Sequence, residues 1–283
     1  MRLRGRNLRW GHRTYVMAIL NLSPDSFSGD GLGTDLEALA RRVDSAAAAG
    51  CDLLDIGAES TRPGSRPVPA ERELELLLPA LERVRAITDL PVSIDTYKAE
   101  VAMAALDHGA DLINDVSALQ ADPQMAQLAA RTDCPVILMH RAQTSVRDAS
   151  FGRHFAGVDS EDITAAVIQD LSRRIESAVA AGIGRQRIVV DPGIGFGKSP
   201  EQNLELLARL VEIRQGLQLP VLVGASRKSV IGYAADRFPD RVAGTVAAHA
   251  LAIAGGADIV RVHDFAAGVQ GARVADAIAR GRA

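Results

Sequence analysis

The sequence predicts an α/β fold, a single-domain (β/α)8 TIM barrel with a short N-terminal extension, spanning residues 1–283. Three observations predict it. Short β-branched or Leu-rich runs alternate eight times with longer Ala/Leu/Glu/Arg segments of helical period. Several of the helical segments end on a glycine just before the next apolar run. Seven of the eight apolar runs end in a polar cluster, at the place where a barrel carries its chemistry.

In chain order, the run Tyr15-Val-Met-Ala-Ile-Leu20 reads as the first strand, and the following helix, over 36–49, closes on Gly50. A strand over 53–57 leads to a helix over 70–87, and a strand over 92–95 to a helix over 99–106 that stops before Gly109. The fourth unit pairs a strand over 112–115 with a helix over 123–130. The fifth strand, 136–139, ends less decisively, at Met139-His140, and its helix over 163–181 closes on Gly182. Segment 141–160 has little apolar periodicity, carries Gly152 and Gly157, and reads as a mobile loop. Strands over 188–191, 221–224 and 259–262 complete the set, with helices over 200–215, 242–254 (before Gly256) and 266–280. Eight such units suit a closed barrel better than an open doubly wound sheet, which usually has about five or six strands. No Pro/Ser/Gly-rich linker divides the chain.

At 283 residues, 47% hydrophobic and 24% charged, the chain can bury a large core. A net charge of -3 gives no overall basic field, so a nucleic-acid partner is not expected. Cys51 and Cys134 match no metal or redox spacing and read as buried thiols in a reducing, cytoplasmic compartment. The basic stretch 1–9 is followed by no apolar segment, and no uncharged run approaches the roughly 18 residues of a membrane span. Neither export nor membrane insertion is expected.

Asp95, Asn114 and Asp191 end strands three, four and six, and their chemistry suits a flat heterocycle. A carboxylate accepts two parallel N–H bonds, and an Asn amide both donates and accepts. Taken singly each fits an N-cap or turn residue equally well; three strand ends together favour binding. Asp191 opens Asp191-Pro-Gly-Ile-Gly-Phe-Gly-Lys198, where glycines permit close approach of backbone and ligand and Phe196 reads equally as stacking wall or core aromatic. The spacing before Lys198 is not that of a phosphate loop. Ser226-Arg-Lys228-Ser229 reads as a site for an anion or ring carbonyl, with a solvated basic turn as the alternative. Arg261 and His263 alternate with Val260 and Val262 and share a strand face, where they call for an anionic partner such as diphosphate. Thr61 and Arg62 add a hydroxyl and a guanidinium, and Asn21 offers a neutral oxygen to a hard divalent ion. No structural-zinc spacing and no serine nucleophile elbow is present.

Together these motifs resemble the dihydropteroate synthases over nearly the whole chain. They run from Met17-Ala-Ile-Leu-Asn-Leu-Ser-Pro-Asp-Ser-Phe-Ser28 through Glu59-Ser-Thr-Arg-Pro-Gly64, Ser93-Ile-Asp-Thr96, Ile113-Asn-Asp115, Asp191 to Lys198 and Ser226-Arg-Lys-Ser229 to Arg261-Val-His-Asp264. The resemblance implies a barrel transferase of folate synthesis that condenses 6-hydroxymethyl-7,8-dihydropterin diphosphate with p-aminobenzoate. It also implies dependence on Mg²⁺, sensitivity to sulfonamides and a homodimer formed through outer helices. Carried over by motif, Asp95, Asn114, Met139, Asp191, Phe196 and Lys228 hold the pterin; Thr61, Arg62, Arg261 and His263 hold the diphosphate. Phe27, Pro63, Phe196 and Ser229 frame p-aminobenzoate, Asn21 meets Mg²⁺, and Arg62, Lys228, Arg261 and His263 carry the catalytic charge.

The chain departs from the usual pattern at Ser28-Gly-Asp-Gly31, at Ala58 and after His140, so Asp30 and Arg141 inherit no role. Three other readings fit part of the pattern: a methyltetrahydrofolate methyltransferase barrel, a catalytically silent pterin-binding paralogue, and a phosphosugar aldolase or isomerase. The first lacks a diphosphate for Arg62, Arg261 and His263 to meet, and the last leaves the Asp/Asn/Asp edge without a partner.

Overall fold

The computed structural model describes residues 1–23, 31–59, 67–142, 158, 160–235 and 238–281. A two-residue hairpin, β1 (Arg2–Leu3) and β2 (Arg6–Asn7), precedes eight parallel strands. These are β3 (Tyr15–Asn21), β4 (Leu53–Gly57), β5 (Val92–Asp95), β6 (Leu112–Asp115), β7 (Val136–Met139), β8 (Ile188–Asp191), β9 (Leu222–Val223) and β10 (Ile259–Val262). Their order is β8-β7-β6-β5-β4-β3-β10-β9, and a parallel bridge between Val190 and Val221 joins the two ends. The sheet is therefore a closed barrel, as the sequence predicts.

Helices α1 (Leu36–Ala49), α2 (Ala70–Ile87), α3 (Ala99–Asp107), α4 (Met125–Thr132), α5 (Ile163–Ala180), α6 (Pro200–Ala208), α7 (Leu210–Leu217), α8 (Ser229–Ala234), α9 (Val242–Ala254) and α10 (Phe265–Ala279) surround it. Local chemistry sets their ends. Asp35 and Asp162 cap α1 and α5 by accepting from Ala38 and Ala165 backbone N–H groups, and Ser199 with Gln202 forms a capping box ahead of Pro200 at α6. Gly50, Gly109, Gly182 and Gly256 adopt φ of 90°, 94°, 104° and 98°, turning the chain from helix to strand.

Most predicted boundaries hold to within one or two residues, and two departures have a clear local cause. The helix expected over 200–215 breaks at Arg209, whose side chain bonds Asp162 at the start of α5 together with Glu205 and Glu212 on the two sides of the break. The apolar period runs through the break because Leu206, Leu210 and Ile213 all face the core. The fourth helix starts at Met125 rather than at 123 because Asp122 turns the chain first, accepting from the Gln124 N–H at 2.9 Å.

The core lies in two shells. Val16, Ala18, Leu54, Ile56, Val92, Ile94, Val260 and Val262 point outward beneath the helices, as do Ile113, Val136, Leu138, Ile188 and Val190 on the opposite side. Tyr15, Met17, Leu53, Leu112, Ile137, Val189, Leu222 and Ile259 fill the barrel interior, with Leu3 and Leu8 of the N-terminal extension packed in the same cluster. Trp10 meets Tyr15 edge-on at 5.6 Å. Strand alternation then dictates the layer above this floor: two residues on from Leu53, Leu112, Ile137, Val189 and Ile259 come Asp55, Asn114, Met139, Asp191 and Arg261. The chain thus sets an apolar plug at one end of the barrel and a polar ring at the carboxyl ends of its strands. Among the described residues, no helix is long and apolar enough to cross a membrane.

Candidate active site

The polar ring is tied together across the barrel. The Arg261 guanidinium donates Nε to Asp55 at 2.6 Å and Nη2 to Asp95 at 3.0 Å, and the Asn114 amide donates to both Asp55 oxygens at 3.2 and 3.4 Å. Asp55 is completely buried, and Asp95 and Asn114 nearly so. Burial drives the Asp95 carboxyl up to about 7, against the pull of Arg261 and with the push of Asp55. One Asp95 oxygen, Oδ1, is buried without a hydrogen-bond partner. The centre of the mouth therefore holds an acceptor ready for an incoming N–H group.

Asp191 ends β8 and accepts from the Gly193 N–H at 2.7 Å, which bends the chain into the glycine-rich turn. Burial raises its pKa, opposed by the charge of Lys228 and by that hydrogen bond. Lys228 reaches the turn from the loop after β9: its ammonium donates to the Ile194 carbonyl at 2.5 Å and lies 4.4 Å from the centroid of the Phe196 ring. Enclosure lowers Lys228 to about 8, with Asp191 as the main opposing charge. Met139 pairs with Asp191 across β7 and β8 and is buried beside it.

The turn itself is built around Lys198, which has no exposed surface. Its ammonium donates to the carbonyls of His140 at 3.2 Å, Gly193 at 2.9 Å and Phe196 at 3.1 Å, using all three of its N–H bonds. Burial lowers it to about 7. Gly193 sits at φ 69°, where a Cβ would lie 1.9 Å from the His140 carbonyl oxygen, so close approach and a left-handed backbone both demand glycine.

His263 continues the inward face of β10 and stays half-buried at the rim. Its backbone N–H and ring Nδ1 meet the Ser226 hydroxyl at 3.1 and 3.0 Å, and its carbonyl accepts from Arg42. Arg227, by contrast, bonds Asp264 beside the loop. Ser229 is exposed at the first position of α8. Asn21, the last residue of β3, pairs in register with Gly57 two positions above Asp55, which places it on the inward face at the mouth. Phe27, Thr61, Arg62 and Pro63 lie outside the described residues, as do Asp30 and most of segment 141–160. Glu59, two positions before Thr61 in the sequence, is held by Lys98 and by the Tyr97 hydroxyl at 2.7 Å, and Lys98 also bonds the buried Glu73 at 2.7 Å. Among the described residues, no three His, Cys, Asp or Glu side chains converge on a metal position.

A family model described as "Pterin binding enzyme" matches residues 17–263. A dihydropteroate synthase of Synechocystis sp. is 43% identical over 277 residues, covering 96% of this chain and 92% of that protein. The chain belongs to the dihydropteroate synthase family. Solved structures of that family superpose closely. The Xanthomonas albilineans enzyme with 4-aminobenzoic acid gives a TM-score of 0.83 at 45% identity, covering 94% of this chain and 93% of that one. The Yersinia pestis enzyme with a sulfonamide drug complex gives 0.90 at 37% identity, covering 100% and 99%.

Sequence reasoning about this family member places Asp95, Asn114, Met139, Asp191, Lys228 and Arg261 at one barrel mouth, and the structure brings them together there. The sequence sets Asp55 in the polar cluster that ends its strand without giving it a role, and it gives none to Lys198. Asp55 was findable, because it stands two positions after Leu53 on the inward face of its strand, the same signal that marks Asn114 and Asp191. Lys198 was not, since nothing local says that its ammonium turns inward to three carbonyls. Asp115, grouped in the sequence with Asn114, points the other way and accepts from Ser117 and Leu119 in the turn after β6.

Proposed function

We propose that this transferase condenses 6-hydroxymethyl-7,8-dihydropterin diphosphate with p-aminobenzoate, giving 7,8-dihydropteroate and diphosphate, as a single barrel unit of residues 1–283. The observation that carries the reading is the inward ring of Asp95, Asn114 and Asp191 with Lys228 over it. These groups form a polar edge and a cation above an apolar floor, matched to a flat heterocycle bearing N–H groups and a ring carbonyl. Asp191 takes two N–H groups of the pterin, Asn114 and Asp95 its other edge, Lys228 its carbonyl, and Met139 and Phe196 its faces.

In the reaction the bond from the exocyclic methylene carbon to the diphosphate oxygen breaks, and its electron pair leaves with diphosphate. The aniline nitrogen of p-aminobenzoate forms the new C–N bond and releases its proton to water. No protein nucleophile is required, and the amine is already free at neutral pH. The residues' work is to position the reactants and stabilise the leaving charge, with about 3 to 4 kcal/mol per well-placed donor. His263 at the rim, with Thr61 and Arg62 of the family motif, serves the diphosphate. Arg261, held between Asp55 and Asp95, is better seated against the pterin than beyond it. Phe27, Pro63, Phe196 and Ser229 frame p-aminobenzoate, the ring that sulfonamides imitate.

Mg²⁺ fits this site only as a companion of the diphosphate. Asn21 supplies one neutral oxygen at the mouth, and the described residues offer no acidic cage. The ion would add positive charge at the departing oxygens. The chain's own surface supports a homodimer through outer helices, where Leu251 on α9 and Val274 and Ile278 on α10 stand exposed. A cytoplasmic setting, with neither nucleic acid nor membrane as partner, completes the reading. The test is diphosphate release from the pterin diphosphate: it should require both p-aminobenzoate and Mg²⁺ and give dihydropteroate in equal amount. Release that ignores p-aminobenzoate, or turnover of a phosphosugar instead, rejects the proposal.

A further inference from the structure

We propose that Asp55 is a positioning residue for the pterin, one that touches no ligand itself but orients the Asn114 amide and the Arg261 guanidinium that do. The inference rests on the pterin reading of the site. Asp55 is wholly buried on the inward face of β4 and contacts both partners across the barrel, Arg261 Nε at 2.6 Å and Asn114 Nδ2 at 3.2 Å. A carboxylate only accepts hydrogen bonds, so it admits the nitrogen end of the Asn114 amide and repels the oxygen end. The amide is thereby locked with Oδ1 turned away from Asp55. The same carboxylate holds one edge of the Arg261 guanidinium, whose other edge engages Asp95 Oδ2 and leaves Asp95 Oδ1 without a partner.

Two acceptors, Asn114 Oδ1 and Asp95 Oδ1, are thus fixed for a ligand edge rich in N–H groups, and Asp55 sets the orientation of both. An apolar side chain would fill this layer with far less desolvation cost, as Leu53 does in the layer below. The carboxylate therefore serves orientation rather than packing. Its charge also acts on Asp95, which feels the charges of Arg261 on β10, Asp55 on β4, Glu73 on α2 and Asp115 on β6, and which in turn acts on Lys228 in the loop after β9. Removing the Asp55 charge takes away a like charge and lets Asp95 lose its proton at lower pH.

The test measures binding of 6-hydroxymethyl-7,8-dihydropterin to the full-length protein by calorimetry between pH 5 and 9, for wild type and Asp55→Asn, with thermal melts to establish folding. Asp55→Asn should weaken binding roughly tenfold or more, the scale of losing a charge-assisted hydrogen bond. It should also move the acid midpoint of binding to lower pH and raise KM for the pterin diphosphate while leaving KM for p-aminobenzoate alone. Damage to folding alone would lower the active fraction and leave the affinity and midpoint of the remainder unchanged; that result, or wild-type affinity, overturns the inference. Should Asp55→Asn not fold, NMR of the wild type decides: the Asn114 side-chain amide protons should exchange slowly before any ligand is added, and free exchange overturns the lock. Wild-type protein that binds no pterin at any pH sinks the reading of the site instead, and amide exchange then decides on Asp55 alone.

Discussion

The Lys228 ammonium stands 4.4 Å from the centre of the Phe196 ring while donating to the Ile194 carbonyl at 2.5 Å. One cation thus ties the loop after β9 to the glycine-rich turn after β8 and stays beside Asp191. Lys228→Ala should lower kcat/KM for the pterin diphosphate about a hundredfold, the size expected when one well-placed donor is lost. Lys228→Arg should recover only part of it, because a planar fork cannot replace a point charge over the ring. Steady-state kinetics on both variants check this, and wild-type kcat/KM in Lys228→Ala removes Lys228 from the pterin site.

The two ionisable walls of the mouth set a pH window. Asp95, raised to about 7, is a full acceptor only above that pH, and Lys228, lowered to about 8, is a full donor only below that one. The profile of kcat/KM for the pterin diphosphate should therefore be bell-shaped, with its limbs near these values as properties of the coupled site. Lys228→Arg should remove the alkaline limb and keep the acid one. A flat profile from pH 5 to 9 contradicts the assignment.

Gly193→Ala joins two penalties at one atom, a Cβ 1.9 Å from the His140 oxygen and a φ of 69°. Relief requires opening the Lys198 cage, whose ammonium is 3.3 Å from the same Cβ position. The substitution should cost about 3 kcal/mol or more, within the range of backbone strain combined with a broken buried network. Chemical denaturation measures it, and a loss under about 1 kcal/mol shows that the turn relaxes freely.

The barrel was legible because alternation is a local property: Leu53 before Asp55 and Val189 before Asp191 announce an apolar floor with a polar layer above it. Glycine caps announced the helix ends for the same reason. What the sequence did not disclose is which polar atoms meet. The bond between Arg261 and Asp55 joins residues 206 apart, and only barrel closure brings them within reach. The break at Arg209 stayed hidden because it leaves the apolar period untouched and is marked by ion pairs to Asp162, Glu205 and Glu212.

Asp191→Asn keeps size and shape but removes one acceptor and adds a donor facing the pterin N–H groups. The amide also replaces the charge that offsets the lowering of Lys228 by burial. Pterin affinity should fall by roughly 2 kcal/mol, near thirtyfold, consistent with an unpaired buried polar group. Calorimetry at pH 7.5 reads the loss, and the Lys228 limb of the pH profile should move further down. Unchanged affinity takes Asp191 off the pterin edge.

His249 shows how the same enclosure shapes stability behind the site. Its Nε2 accepts from the Ala225 N–H at 3.2 Å, so the ring is held neutral, and burial lowers it to about 4. His140, lowered by burial and then by the Lys198 charge to about 3, behaves alike. In both the unfolded chain binds the proton more readily. Their stabilisation is therefore complete above the ordinary histidine value of about 6.5 and is lost as pH falls toward 4 and then 3. Buried carboxyls such as Asp95 and Asp191, with raised values, slope the opposite way, so the signal lies in the difference between proteins rather than in the wild-type curve. His249→Gln retains an acceptor for Ala225 but cannot take up the proton. Melting temperatures of wild type and variant should converge as pH falls from 6.5 to 4.5, with the wild type losing more over that range. Parallel curves indicate that His249 is protonated, or exposed, in the folded protein.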